Sequence, residues 1–119
     1  MTEIAITGAC GRMGRVIAGL VKERSDCKII AGVDVAGEQY SDFPVYKKVF
    51  DLPQKPDVII DFSHPSALPD LLSYGKMNNV PLVLATTGYT DEERAQITAA
   101  SAQIPVFFTF NMSLGINLL

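Results

Sequence analysis

The segment with the clearest chemical signature is a run of three glycines, Gly8, Gly11 and Gly14, which stand three residues apart. It follows a short apolar run and leads into a helical pattern, so it predicts a turn between a strand and a helix. Gly8 allows a tight turn, Gly11 lets an anion approach backbone N–H groups, and Gly14 allows the helix to pack closely on the strand. The anion most often bound by such a turn is the pyrophosphate of a dinucleotide.

The spacing of these glycines leaves a second interpretation open. It is G-x-x-G-x-x-G and differs from the G-x-G-x-x-G fingerprint, and a glycine-rich turn needed only for packing fits it as well. A phosphate loop of the Walker type is excluded, because no Gly-Lys-Ser/Thr sequence follows at the required position. Arg12, inside the loop, supplies a charged hydrogen-bond donor for a pyrophosphate.

A carboxylate at the end of the second predicted strand supports the dinucleotide interpretation. Asp34 follows Gly14 by 20 residues, a separation typical of the acid that accepts hydrogen bonds from the adenosine ribose. The alternative is an exposed aspartate at a strand end, without a ligand. The charge of Asp34 repels a 2′-phosphate, and Val35-Ala36 supplies no cation to offset it. We therefore expect NADH to be preferred to NADPH, unless a lysine of the Lys47-Lys48 pair folds toward this position.

The remaining polar residues carry weaker signals. Thr86-Thr87-Gly88 either lines the nicotinamide side of a site or forms only a turn and a helix cap. The only histidine, His64, is interpreted as a loop residue without a catalytic role, and Cys10 as a spacer in the glycine loop. Three acids fit strand ends or helix caps, namely Asp57, Asp61 and Asp91. No Ser/His/Asp set, carboxylate pair or Cys/His cluster can be assembled, so neither a catalytic residue nor a metal site is predicted in this chain.

Strands and helices alternate along the sequence. Apolar runs predict buried strands at 3–7, 28–35, 58–62, 82–85 and 106–110, with a short strand at 44–46. Helices are predicted from 13 to about 24, from Ser66 as N-cap, and from 91 to about 102 behind a Thr90/Glu93 capping box. This alternation predicts the α/β class: a doubly wound, mainly parallel, Rossmann-like sheet in three α/β/α layers, with its ligand at the carboxyl ends of the strands.

Two of these helices show an apolar face at helical spacing. The first is predicted to bury the residues that recur along it, which are Met13, Val16, Ile17 and Leu20. The second is predicted to bury Leu68, Leu71 and Leu72. Pro69 is compatible with this second helix because it falls in the first turn.

Size, charge and hydropathy narrow the class of protein. The chain has 119 residues, which is enough for one domain with its own core. Its net charge is −3, and its Lys and Arg residues are scattered, which argues against a nucleic-acid or membrane surface as partner. No signal peptide and no apolar run of about 20 residues is recognisable. Cys10 and Cys27 suggest no disulfide framework, so a cytoplasmic protein is expected.

Four segments resemble motifs of one family, the dihydrodipicolinate reductases. They are Gly8-Ala9-Cys10-Gly11-Arg12-Met13-Gly14-Arg15, Asp61-Phe62-Ser63-His64-Pro65, Thr86-Thr87-Gly88-Tyr89 and Asn111-Met112-Ser113-Leu114-Gly115-Ile116-Asn117. The resemblance extends from the first strand almost to the last residue. It also accounts for the spacing of the glycines, since G-x-x-G-R-M-G is the form found in this family.

The resemblance implies a role for each segment in binding the cofactor. The pyrophosphate would be held by Gly8, Ala9, Cys10, Gly11, Arg12 and Met13, and the adenosine ribose by Asp34, with Phe62 and Ser63 at the neighbouring strand end. The nicotinamide pocket would be lined by Ala85, Thr86 and Thr87 and closed by Thr109, Phe110, Asn111 and Met112. Two positions depart from the family pattern, because Ala85 replaces a frequent glycine and Met112 a commoner phenylalanine.

The resemblance also implies an activity for a longer protein. Such a reductase transfers hydride from NADH, or alternatively NADPH, to a cyclic dihydrodipicolinate-type dicarboxylate in lysine and diaminopimelate biosynthesis. Its catalytic segment, H-H-R-x-K-x-D-x-P-S-G-T, is not found among these 119 residues. We therefore expect residues 1–119 to form the dinucleotide-binding domain and to be inactive alone. The substrate and catalytic domain would lie elsewhere and would mediate homo-oligomerisation.

Two other classes of protein compete with this interpretation. A short-chain dehydrogenase also uses a glycine loop of this form, but it needs a Tyr-x-x-x-Lys pair. The residues four positions after the four tyrosines are Pro44, Phe50, Asn78 and Glu93, and none is lysine. A non-enzymatic, NAD(P)-sensing domain is the second alternative, and the sequence of this chain does not exclude it.

Overall fold

The computed structural model describes residues 2–39, 41–85 and 88–108. The strands are β1 (Thr2–Thr7), β2 (Cys27–Val33), β3 (Val45–Tyr46), β4 (Val58–Asp61), β5 (Leu82–Leu84) and β6 (Val106–Phe108). The helices are α1 (Arg12–Lys22), α2 (Leu68–Asn78) and α3 (Asp91–Ala100), and short 3-10 turns lie at Val49–Asp51 and Pro65–Ala67. The six strands form one sheet in the order β3-β2-β1-β4-β5-β6, and every pair is parallel.

The sheet is covered on both faces, because side chains alternate between the faces along each strand. In β1, Ile4 and Ile6 join a core cluster with Ala18 and Val21 of α1. Ala5, which lies between them, belongs to a second cluster that contains residues of α2 and α3. The predicted doubly wound, three-layer α/β/α architecture is therefore confirmed.

The predicted buried face of α1 is wrong. Its buried residues are Gly14, Ala18 and Val21, whereas Met13, Val16 and Leu20 are 52%, 49% and 57% exposed, and Ile17 is partly buried. The reason is size, because small residues let the helix approach the sheet. A Cβ atom on Gly14 would lie 2.5 Å from the carbonyl oxygen of Gly8, so this face of the helix touches the preceding backbone.

The predicted start of α2 also needs correction. Ser66 does not cap it; instead the Nδ1 atom of His64 accepts a hydrogen bond from the Ser66 N–H, at 3.2 Å. This bond stabilises the 3-10 turn Pro65–Ala67, after which α2 begins at Leu68. Pro69 does stand in the first turn of α2, and the predicted apolar face is buried.

The capping box of α3 is confirmed. The Thr90 hydroxyl accepts a hydrogen bond from Glu93 N at 3.1 Å, and the Glu93 carboxylate accepts one from Thr90 N at 2.8 Å. The helix ends at Ala100, two residues before the predicted end. No helix in the described part of the chain has the length and apolar character needed to cross a membrane.

We predict that two glycines of α1 respond in opposite ways to the same substitution. Gly14→Ala should lower the free energy of unfolding by about 1–3 kcal/mol, because its methyl group would overlap the backbone of Gly8 and Ala9. Gly19→Ala is the matched control. No atom lies within 4 Å of its Cβ position, so it should stabilise the protein by up to about 1 kcal/mol through helix propensity. Urea unfolding measures both, and equal effects would contradict the close contact of α1 with the glycine loop.

Candidate functional site

A cavity of about 610 Å³ opens at the carboxyl ends of the strands. Gly8 and Gly11 line it from the loop after β1, Asp34 and Val35 from the loop after β2, and Phe62 and Ser63 from the turn after β4. The sheet order places β1 between β2 and β4, and α1 and α2 leave these strands toward opposite faces. The cavity therefore occupies the crevice where ligands of doubly wound sheets bind.

The loop after β1, residues 8–11, is held directly against the turn after β4. Gly8 has φ +70°, and a Cβ atom on it would lie 2.5 Å from Phe62 O and 2.8 Å from Ser63 N. Its own N–H donates to Val33 O at 2.8 Å. Any other residue at position 8 would be strained and would also push the two loops apart.

Gly11 is the N-cap of α1 and offers no side chain to its first turn. Gly11 is also exposed and lines the cavity. The amino end of a helix presents backbone N–H groups and a partial positive charge, which together favour an anion. Arg12 and Met13, the first residues of α1, are exposed beside it.

Asp34 is bound to the glycine loop through its side chain. Its Oδ2 atom accepts a hydrogen bond from Cys10 N at 3.0 Å, and its Oδ1 atom accepts one from Ala36 N at 2.9 Å. The second bond turns the chain at this point, which explains why β2 ends at Val33, short of the predicted end. Each carboxylate oxygen has lone pairs for further donors, such as ribose hydroxyl groups.

Cys10 has a larger structural role than that of a spacer. Besides its backbone bond to Asp34, its thiol lies 3.2 Å from Glu38 O as a hydrogen-bond donor. Ala9 is fully buried, and its methyl group lies close to the backbone of Gly32 in β2. Within residues 8–11, Ala9 can therefore offer a ligand only its backbone.

Asp61 is a residue whose importance the sequence interpretation missed. It is fully buried at the end of β4 and accepts hydrogen bonds from the hydroxyl groups of Thr7 and Ser63, from Ser63 N at 2.9 Å and from the Tyr89 hydroxyl at 3.3 Å. One carboxylate thus joins β1, the turn after β4 and the segment before α3. The available signal was an aspartate inside an apolar run, whose partner Thr7 stands opposite it in the sheet.

The other predicted site residues divide into two groups. Ala85 follows β5, and its N–H donates to Asp61 O at 2.9 Å. The second group of predicted site residues lies outside the described part of the chain and consists of Thr86, Thr87, Thr109, Phe110, Asn111 and Met112. Among the residues that the structure describes, no cluster of three or more His, Cys, Asp or Glu side chains could hold a metal ion.

Comparison with known proteins gives a consistent result. Residues 2–112 match the family model described as "Dihydrodipicolinate reductase, N-terminus". The whole chain is 40% identical to the 4-hydroxy-tetrahydrodipicolinate reductase of Clostridium novyi and 43% identical to that of Clostridium tetani. It spans 47% of the length of each of these relatives.

Solved structures agree with this match. A dipicolinate-bound dihydrodipicolinate reductase from Paenisporosarcina sp. TG-14 is 27% identical, with a TM-score of 0.72 over 85% of this chain and 43% of that chain. A myo-inositol dehydrogenase from Corynebacterium glutamicum, 22% identical, has a TM-score of 0.71 over 94% of this chain and 37% of that one, which is a likeness of fold alone.

The parallel sheet and the crevice at its strand ends define a Rossmann-like α/β protein. Within that class, the chain belongs to the dihydrodipicolinate reductase family, whose N-terminal region it matches. Because the chain belongs to this family, the alternative that it is a short-chain dehydrogenase is not supported.

We predict that Asp61→Asn lowers the free energy of unfolding by about 1–3 kcal/mol, because an amide has one acceptor oxygen where the carboxylate has two. Tyr89→Phe, which removes a single hydroxyl bonded to Asp61 at 3.3 Å, should cost about 1 kcal/mol or less. Urea unfolding of both variants tests the order of these effects. A neutral Asp61→Asn variant would show that the buried carboxylate does not hold the strand ends together.

Proposed function

We propose that residues 1–119 form the dinucleotide-binding domain of a dihydrodipicolinate reductase and bind a nicotinamide dinucleotide in the crevice at the strand ends. The main support is the hydrogen bond from Cys10 N to Asp34 Oδ2. It fixes the carboxylate beside the amino end of α1, so that a ribose acceptor and a pyrophosphate cradle face one cavity.

The residues present suit such a cofactor. Gly11 leaves the approach to the N–H groups of α1 open, where a side chain would fill the space. Asp34 is already oriented by two backbone donors and keeps lone pairs for ribose hydroxyls. The cavity of about 610 Å³ is within the size range of small-molecule sites, and Val35, Val49 and Leu71 give it apolar surface for an adenine ring.

The chemistry of the proposed longer enzyme divides between two regions. When bound, the nicotinamide cofactor supplies the hydride. The residues of this chain bind and orient the cofactor: pyrophosphate at residues 8–13, ribose at Asp34, and nicotinamide toward Ala85 and residues 86–87 and 109–112. Protonation and binding of a cyclic dihydrodipicolinate-type substrate belong to a second domain, which would also mediate homo-oligomerisation.

The names of the relatives support the further elements of this proposal. They are 4-hydroxy-tetrahydrodipicolinate reductases, and on this support we propose a place in lysine and diaminopimelate biosynthesis and a cytoplasmic location. We propose that the 119 residues alone lack reductase turnover, because the chain spans about half of each relative. We propose NADH as the preferred cofactor, since the charge of Asp34 disfavours a 2′-phosphate.

We predict that the chain binds NADH in calorimetric titration and that Gly11→Ala weakens this binding by about tenfold or more, because a methyl group there obstructs the pyrophosphate. The nearest atom to that methyl would be Gly8 O, at 3.3 Å, so unfolding should change less than for Gly14→Ala. Gly19→Ala, on the same helix, should leave the affinity unchanged. Absence of NADH binding at millimolar concentration would contradict the proposed function.

We also predict that Asp34→Ser raises the affinity for NADPH relative to NADH. The substitution removes a negative charge beside the 2′ position, while serine retains a hydroxyl for the ribose. The measured quantity is the ratio of the two dissociation constants. An unchanged ratio would show that Asp34 does not discriminate between the two cofactors.

A further inference from the structure

The chain between β5 and α3 is attached to Asp61 at two points. Ala85 N donates a hydrogen bond to the main-chain oxygen of Asp61 at 2.9 Å. Four residues later, the Tyr89 hydroxyl donates to Oδ2 of the same aspartate at 3.3 Å. These two bonds therefore fix the chain on either side of residues 86–88, at the end of the sheet where the crevice lies.

The two attachments differ in how much they depend on the sequence. The bond from Ala85 extends the parallel ladder in which Leu84 pairs with Asp61, and any residue except proline provides its N–H group. The second attachment depends on the side chain at position 89, because a phenylalanine there would keep the ring and lose the donor. The identity of Tyr89 therefore determines whether the second point is held.

The residue before Tyr89 makes such an attachment necessary. Gly88 has φ +88°, a left-handed conformation that glycine adopts without strain. A Cβ atom on Gly88 would lie 4.0 Å from Pro65 Cγ, and no closer contact would constrain it. Because glycine has no side chain that could set the direction of the chain, the bond made by the following residue sets it.

The ring of Tyr89 is held independently of its hydroxyl. Tyr89 is 8% exposed and belongs to the core cluster that contains Leu71 of α2 and Ile97 of α3. Removal of the hydroxyl leaves this apolar packing in place. The substitution Tyr89→Phe therefore isolates the bond to Asp61 from the contribution of the ring.

The two carboxylate oxygens of Asp61 serve different sides of the crevice. Oδ1 accepts hydrogen bonds from the hydroxyl groups of Thr7 and Ser63 and from Ser63 N, which lie beside the glycine loop. Oδ2 accepts the bond from Tyr89. Loss of a donor to Oδ2 should consequently affect a different part of a bound ligand from loss of a donor to Oδ1.

We propose that Tyr89 is a positioning residue for the nicotinamide half of the cofactor, because its hydroxyl, bound to Asp61, orients residues 86–88 toward the crevice. This inference rests on the proposed function, which assigns the nicotinamide to this segment and the adenosine ribose to Asp34. Tyr89 acts through its neighbours in the chain and does not itself touch the cofactor. The bond from Cys10 N to Asp34 does not involve Tyr89, so the adenosine half is bound without its help.

The test is calorimetric titration of the chain and its Tyr89→Phe variant with NADH and with ADP-ribose, which has the same adenosine, pyrophosphate and second ribose but no nicotinamide. The variant should lose about threefold or more in affinity for NADH and less than about 1.5-fold for ADP-ribose. A second measurement is the fluorescence of the reduced nicotinamide at saturating NADH. Its emission should shift toward that of free NADH in the variant, because the ring is less well enclosed.

Two controls separate this role from a general loss of stability. Tyr74→Phe makes the same change in a buried tyrosine of α2 that, in the described part of the chain, does not line the cavity. It should leave both affinities unchanged. Thr7→Val removes a donor from Oδ1 of Asp61, and it should change the affinities for NADH and ADP-ribose by the same factor.

The outcomes distinguish the inference from the proposed function. Equal losses for NADH and ADP-ribose in Tyr89→Phe, or no loss for either, would overturn the positioning role while NADH binding by the unmodified chain upheld the proposed function. If the unmodified chain bound neither probe, both would fail.

Discussion

The structure depends on the contact between Gly8 and the turn that follows β4. Because Gly8 has no side chain, its backbone lies against Phe62 and Ser63, and Asp61 holds that turn through Ser63 N. This is the point at which the winding of the sheet reverses: α1 packs on one face, and α2 and α3 on the other. The crevice exists because the chain leaves two adjacent strands in opposite directions.

A second connection determines what the crevice can bind. The backbone of Cys10 donates to Asp34, so the loops after β1 and β2 form one rigid surface with donors at one end and an acceptor at the other. The orientation of the carboxylate is established before any ligand arrives, which reduces the ordering cost of binding. The fold therefore supplies a geometry that suits a bound dinucleotide.

The strands and their order of appearance could be predicted because buried parallel strands are continuous apolar runs. The face of α1 could not, because this helix carries two apolar stripes and periodicity ignores side-chain size. The wider stripe contains Met13 and Leu20, but the helix packs on the sheet through Gly14 and Ala18. The predicted start of α2 was wrong because serine is a common cap, whereas here the side chain of His64 caps the preceding 3-10 turn.

The sequence indicates those parts of the candidate site whose signal is local, and it misses the contacts that depend on strand register. The glycine loop and Asp34 are recognisable because their spacing reflects one strand-helix-strand unit. The bond between Thr7 and Asp61 joins residues 54 apart, and only the pairing of β1 with β4 brings them opposite each other. The same limit applies to Lys47, whose distance from Asp34 along the chain is irrelevant. Its place near Asp34 follows from the parallel pairing of Val33 with Tyr46, which an apolar pattern of two residues does not encode.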